Sequence, residues 1–242
     1  MIKISRSAVE QHLNCQRCFY LAYKHKIRPP SLPFTLNSAV DNLCKNEFDH
    51  YRKISEPHPL FLENGGVTEY LSDAVPFKHK DLHKWRDFRH GISYTNENMG
   101  FTLYGAIDDV WIKKSGSLII SDVKSTSKKE FNWAKTWQDY EYPKLYQRQL
   151  EMYQWLFKKN GFSVSNKAYL VYYNGLKDEP MFNEVLKFKP FLVELDCSDN
   201  WVEEAILNAK KMMENDKIPK GSFKCDKCQY LKKRWDVSNL NK

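Results

Sequence analysis

The tripeptide Asp122-Val123-Lys124 constrains this chain more than any other feature. It ends the stretch FTLYGAIDDVWIKK, SGS, LIISDVKSTS, in which two runs of β-branched, aliphatic and aromatic residues flank a turn of Lys, Ser and Gly. That pattern reads as a β-hairpin. Residues two apart on a strand share a face, so Asp122 and Lys124 project together and Val123 points the other way. A three-residue loop, Lys114 to Gly116, places Gly116 where a positive φ is required. Lys113 then opposes Ser117, and counting back sets Asp108 opposite Asp122. Opposed residues lie about 4.5–5.5 Å apart at Cβ, a separation at which two bare carboxylates repel. A divalent cation between them removes the repulsion, and carboxylate oxygens suit Mg²⁺ or Mn²⁺. Lys124 would stand beside that ion, and the Val123 carbonyl is a further oxygen donor. Asp109 is expected on the opposite face, in a polar or solvated spot. The tripeptide alone fits an ordinary ion pair on a solvated strand better than a catalytic site; Asp108 across the hairpin is what gives it chemical content.

The remaining chain fits one medium-sized α/β domain spanning 1–242, with a mixed central sheet, since a hairpin is antiparallel. Ser7 with Glu10 reads as a capping box for a helix to about His25, which Pro29, Pro30 and Pro33 end. A second helix starts near Leu36 and runs through EFDHYR. Residues 55–79 read as loops or short elements, and DLHKWRDFRHGI as a short helix. A loop rich in Trp and Lys (Trp133, Lys135, Trp137) leads into a helix over 143–160. KAYLVYYNG and FKPFLVELDC read as strands. WVEEAILNAKKMMEND is a helix with Val202, Ala205, Ile206, Ala209 and Met212 on its apolar face. The formal charge of +8 and pI of about 9.0 favour nucleic acid or another anionic partner. No run of some 20 apolar residues is present, and MIKISRSAVEQHL lacks an apolar signal core. A cytoplasmic protein without a membrane partner is therefore expected.

Four of the six cysteines form two Cys-x-x-Cys pairs, Cys15 with Cys18 and Cys225 with Cys228, near opposite ends of the sequence. In a cytosolic chain this argues against structural disulfides. It suggests one four-cysteine site for zinc or an iron–sulfur cluster, in which 1–30 and 215–242 form a joint subregion. Two unrelated pairs are the alternative. Cys44 and Cys197 have no partner at ligand spacing and read as small buried apolar groups.

The order Gly-x-x-Asp, hairpin, Asp-x-Lys, then a helix carrying Gln149 and Tyr153 resembles the PD-(D/E)XK nuclease superfamily. The Gln-x-x-x-Tyr pair points to its RecB-like branch, which includes the CRISPR-associated RecB-like exonucleases and the AddB nuclease domain. ISRSAVEQHLNCQRCFYLAYKHKI resembles that branch's opening helix, and KCDKCQY its closing cysteine pair, so the resemblance runs from about Ile4 to Tyr230. It implies a restriction-endonuclease-like core and a metal-dependent DNA nuclease, an exonuclease preferring single-stranded or frayed ends. Asp108, Asp122 and Lys124 would be catalytic. Gln149 and Tyr153 would orient Lys124 or the strand, and Arg148 is a candidate phosphate contact. Several RecB-like members hold a 4Fe–4S cluster with one N-terminal and three C-terminal cysteines. Here the split is two and two, with Arg234 about where a last cysteine would fall, which leaves the cluster open and favours zinc more than the family pattern does. The branch often adds a His ligand on an early helix; Asp41 stands at the comparable place, with Glu47 a second acidic candidate. A non-catalytic nucleic-acid-binding or scaffolding module, and an RNA-directed nuclease, are the competing readings.

Overall fold

The computed structural model describes residues 1–31, 35–62 and 68–238; Pro33, expected to help end the first helix, lies outside them. In chain order the elements are β1 (Ile2–Ser5), α1 (Arg6–Asn14), α2 (Gln16–Lys24), α3 (Thr35–Ile54), α4 (Thr68–Leu71), β2 (Ala74–Pro76), α5 (Leu82–Arg86), β3 (Ile92–Asn96) and β4 (Phe101–Gly105). There follow β5 (Asp109–Lys113), β6 (Leu118–Thr126), α6 (Trp133–Asp139), α7 (Tyr142–Lys159), β7 (Lys167–Gly175), β8 (Phe188–Asp196), α8 (Val202–Glu214) and α9 (Asp226–Ser238). They form two compact units, one of residues 34–94 with 104–199, the other of 1–33, 95–103 and 200–242. No helix among the described residues is long and apolar enough to cross a membrane.

The first of these units is built on a five-stranded sheet of order β2-β5-β6-β7-β8. Three pairings are antiparallel and β6–β7 is parallel, so the sheet is mixed as expected. A parallel pair needs a long crossover, here supplied by α6 and α7. The β5–β6 register sets Asp109 opposite Ser121 and Trp111 opposite Ile119. The turn has the anticipated form: Lys113 N bonds Ser117 O at 3.0 Å and Gly116 has φ +84°. On one face Trp111, Ile119, Tyr169 and Val171 bury against Phe48 of α3 and Phe61, with Trp111 and Phe48 stacked at 5.6 Å. Helix α7 packs on β6, and every residue from Leu150 to Phe157 is buried.

The other unit carries β1, α1, α2, α8 and α9. β1 belongs to a three-stranded sheet of order β1-β4-β3. Helix α8 buries Val202, Ala205, Ile206 and Ala209 as its periodicity requires, with Met213 rather than Met212 completing the stripe.

Three sequence expectations are corrected. The helix expected over 7–25 is two helices. Ser5, not Ser7, caps the first by accepting from Ala8 N, and Cys15 interrupts the run with extended backbone (φ −159°, ψ 104°). The strand expected from Phe101 to Lys113 breaks at 106–108. There Ile107 N donates to Trp85 O (3.1 Å) instead of to a neighbouring strand. The Trp- and Lys-rich segment is helical over Trp133–Asp139, because the Asn132 side chain caps it by accepting from Lys135 N.

Candidate active site

The break before β5 sets the geometry of Asp108. Gly91, at φ +66°, lies so close to Gly105 that a Cβ there would sit 2.4 Å from the Gly105 carbonyl oxygen. Only glycine allows that approach. Arg86 Nε then holds the Asp108 carbonyl at 2.9 Å. Tyr153, buried on α7, donates its hydroxyl to Ala106 O. The bend is thus fixed at three successive residues, and the Asp108 carboxylate is carried over the end of β5 towards β6.

There it meets the Asp-x-Lys strand. Asp108 Oδ2 accepts the Val123 amide at 2.9 Å, and Lys45 Nζ of α3 lies 3.4 Å from Oδ1. Asp122 is buried. Gln149 Nε2 donates to its Oδ1 at 2.6 Å, and Lys124 donates to its Oδ2. The Lys124 ammonium sits 4.7 Å from the centre of the Tyr146 ring, in cation–π range, and 3.4 Å from the Val123 carbonyl. Asp122, Lys124 and Asp108 therefore converge, with Gln149 brought in from α7.

The two carboxylates are shifted in opposite directions. Burial, reinforced by the charge of Asp108, pushes Asp122 up to about 7 against the pull of Lys124. Burial acts the same way on Asp108, but Lys45, Lys124 and the Val123 amide outweigh it and hold that carboxyl below its ordinary value. Burial lowers Lys124 and Lys45, yet the neighbouring carboxylates more than compensate and keep both ammoniums charged.

Asp109 turns to the opposite face, as the alternation requires, but into a buried network rather than solvent. Its carboxylate pairs with Arg52 and lies 3.1 Å from Arg86, and Arg86 also reaches Asp49 at 2.9 Å. The polar spot was legible. Its burial was not, because it depends on α3 supplying Arg52 across the fold.

Residues 35–232 match the sequence model of the PD-(D/E)XK nuclease superfamily. The chain belongs to the PD-(D/E)XK nuclease superfamily. Its substrate is accordingly nucleic acid. Among solved structures, a candidate exonuclease from Eubacterium rectale is similar over 94% of this chain and 87% of its own, at 13% identity and a TM-score of 0.46. An alkaline exonuclease from Laribacter hongkongensis is similar over 98% of this chain and 94% of its own, at 11% identity and a TM-score of 0.38. No curated protein matches in sequence.

PD-(D/E)XK nucleases usually use divalent metals, and the donor set at this site fits such an ion. Two adjacent carboxylates and a backbone carbonyl match the one or two carboxylates, with waters, that Mg²⁺ takes. Asp41 lies beside that set. It pairs with Lys45 at 2.7 Å, and the Lys45 ammonium lies within reach of Asp41 and Asp108 alike. One Asp41 oxygen is buried without a hydrogen-bond partner. Glu47 pairs with His58 at 3.3 Å instead. Arg148 is half-buried on α7. Trp133 and Trp137 pack on each other at 6.0 Å, and Trp133 on Tyr172 at 5.7 Å, anchoring α6 to β7.

Lys45, Tyr146 and Arg86 also belong to the site. The first two carried a signal. Lys45 is four residues beyond Asp41 on one helix, and Tyr146 is three before Gln149, spacings that share a helical face. Arg86 reaches the Asp108 carbonyl from α5, a contact that no local pattern encodes.

The four paired cysteines form a second centre, in the unit that holds both termini. Cys15 and Cys228, Cys18 and Cys225, and Cys18 and Cys228 are each 3.6 Å apart at sulfur. Among the described residues they are the group of His, Cys, Asp or Glu ligand atoms lying within 4.8 Å of one another. Cys44 is buried in the aromatic core, as expected. The extended backbone at Cys15 is what separates α1 from α2 beside this cluster. Burial raises the Cys15 thiol, but the backbone amides of Ser222 and Cys18 and the adjoining thiols outweigh it and bring it down to about 7, within reach of a metal-binding thiolate.

Proposed function

We propose that this nuclease is a metal-dependent deoxyribonuclease of RecB-like type, an exonuclease acting on single-stranded or frayed DNA. The observation that carries the reading is the convergence of Asp108, Asp122 and Lys124, with each carboxylate already oriented by a donor from the fold. Asp108 and Asp122, with the Val123 carbonyl, would hold Mg²⁺ or Mn²⁺. Asp41 would join only if Lys45 moved aside. The bound ion would supply an acidified water and offset charge on the phosphate.

The chain's own groups do the positioning. Gln149 and the Val123 amide lock the two carboxylates, so little reorganisation accompanies reaction. Lys124, kept protonated, is a hydrogen-bond donor to a phosphate oxygen or to water rather than a base in the metal-free protein. Its attraction to the Tyr146 face keeps the ammonium directed into the site. Tyr153 would act through the bend, since its hydroxyl donates to Ala106 O. Arg148, next to Gln149 on α7, would be a phosphate contact.

At the cysteine centre the sulfur separations support zinc over a 4Fe–4S cluster. A tetrahedral ion with metal–sulfur bonds of about 2.3 Å has sulfur–sulfur edges of about 3.8 Å. A four-iron cluster places its bulk between the thiolates and spreads them further. Elemental analysis and a visible absorption spectrum of anaerobically purified protein decide between them.

Cleavage of end-labelled single-stranded DNA, duplex DNA and RNA, with Mg²⁺ or Mn²⁺ and with chelator, tests the assignment. Metal-dependent loss of terminal nucleotides from unpaired DNA is expected. Cleavage of RNA alone, or no cleavage of any substrate, contradicts it.

A further inference from the structure

Helix α9 has 13 residues and none of them is buried. An isolated helix of that length is marginal in water, so α9 depends on what fixes its first turn. That anchor is Cys225 and Cys228, which meet Cys15 and Cys18. Most of the helix beyond Cys228 is exposed, and it is apolar and cationic at once. Tyr230, Leu231 and Trp235 are exposed, Trp235 at 71%, and so is Phe223 just before the helix. An apolar group of this kind on an ordered helix marks a contact surface.

Charge identifies the occupant. Residues 217–238 carry seven Lys or Arg against two Asp, more than half of the chain's net +8. All seven are exposed and none forms an ion pair among the described residues. Beside Trp235 runs a groove of about 520 Å³ whose lining includes Arg17, Leu21, Leu231 and Lys232. Cations that follow a phosphate backbone, interleaved with aromatic rings on which bases stack, suit a single strand. An acidic protein would use the charges but leave the indole and phenol rings without their flat partners.

We propose that α9, with the segment leading into it, is a single-strand binding surface of this nuclease, in which Lys232, Lys233 and Arg234 meet phosphates and Trp235 stacks on an unpaired base. The surface lies outside the unit that carries Asp108 and Asp122. It rests on the nuclease reading for the class of ligand, and binding without cleavage tests it separately.

The test is fluorescence anisotropy of a labelled 20-nucleotide oligothymidine strand and of a 20-base-pair duplex, without added divalent ion, over a series of salt concentrations. Trp235→Ala should weaken single-strand binding about tenfold, the scale of one base–aromatic stack, and duplex binding far less. Lys232→Glu with Lys233→Glu and Arg234→Glu should weaken it more than tenfold and flatten the salt slope by about 2. A control with Lys177, Lys187 and Lys189 each changed to Glu makes the same change in net charge elsewhere and should leave the slope near that of the wild type. Because α9 buries nothing, circular dichroism melting should show all variants folded. Wild-type binding and slope in both α9 variants, or equal loss in the control, overturns the proposal, as does failure of the wild type to bind the strand. Loss of hydrolysis with α9-dependent binding intact would count against the catalytic assignment alone.

Discussion

The backbone amide of Val123 donates to the Asp108 carboxylate at 2.9 Å. The residue between Asp122 and Lys124 therefore orients Asp108 through its main chain. Its own side chain packs against the aromatic core on the other face. Position 123 should tolerate any side chain that keeps the strand. Val123→Ala is expected to cost about 1–2 kcal/mol of stability but to hold kcat/KM within about threefold of wild type below its melting temperature. Urea unfolding and steady-state cleavage check the two parts. A hundredfold loss of activity in a folded variant would show that the side chain itself matters.

Metal binding should expel a proton. Asp122 is raised to about 7, above its unfolded value, so it carries a proton in the metal-free protein below that pH. By linkage this group stabilises the metal-free fold fully below about pH 4, and the contribution is lost as pH rises through about 7. Metal affinity should move the opposite way, strengthening as pH rises through that window. Calorimetric titration with Mn²⁺ in two buffers of different ionisation enthalpy should show close to one proton released at about pH 6 and little at about pH 8.5. No release at the lower pH contradicts the assignment of Asp122 as a ligand.

Much of this site was legible in one sequence because it is local. The turn chemistry at Gly116 fixes the hairpin register, which pairs Asp109 with Ser121 and so brings the residue before β5 up to Asp122. What was not legible depends on contacts between distant segments. The strand break at 106–108 follows from Gly91 and Trp85, and the burial of Asp109 from Arg52 on α3. Tyr153 sits where its spacing from Gln149 placed it, yet its hydroxyl goes to a carbonyl on the bend, which spacing alone does not reveal. The division at Cys15 was hidden for another reason. No proline or glycine marks the break, and the extended residue is itself a member of the cysteine cluster.

Gly91 should be intolerant of substitution. Alanine would face both a positive φ and a carbonyl oxygen at 2.4 Å. Gly91→Ala is expected to destabilise the fold by about 2–3 kcal/mol and to lower Mn²⁺ affinity, since the bend carries Asp108. A variant with wild-type urea midpoint and affinity would show that the approach to Gly105 relaxes at no cost.

The buried charges behind the site work as a unit. Arg52 is 8% exposed and Asp109 only 3% at the side chain. Arg52→Met leaves Asp109 short of one partner in a dry setting, where breaking a buried pair costs about 3–5 kcal/mol. Equilibrium unfolding should show a loss near the lower figure, because Arg86 remains. A loss under about 1 kcal/mol would mean that Arg86 alone neutralises Asp109.

The cysteine centre links the first helices to α9. Cys15→Ser should lose bound metal, lower the melting temperature and release α9, because metal-binding energy is folding energy at such a site. Metal content, thermal melting and proteolysis after Ser222 report the three effects. Retention of both metal and melting temperature would dissociate the four thiols from one another.

The central claim is hydrolysis of DNA by Asp108, Asp122 and Lys124 with a divalent ion. Its most direct test compares wild type, Asp122→Ala and Lys124→Ala on end-labelled single-stranded DNA, alongside Mn²⁺ binding by calorimetry. Wild type should cleave with Mg²⁺ or Mn²⁺, stop with chelator and recover when Mn²⁺ is restored. Both variants should fold and lose about a thousandfold or more in rate, with Mn²⁺ binding abolished by Asp122→Ala and largely kept by Lys124→Ala. Wild-type rates from either purified variant would contradict the account.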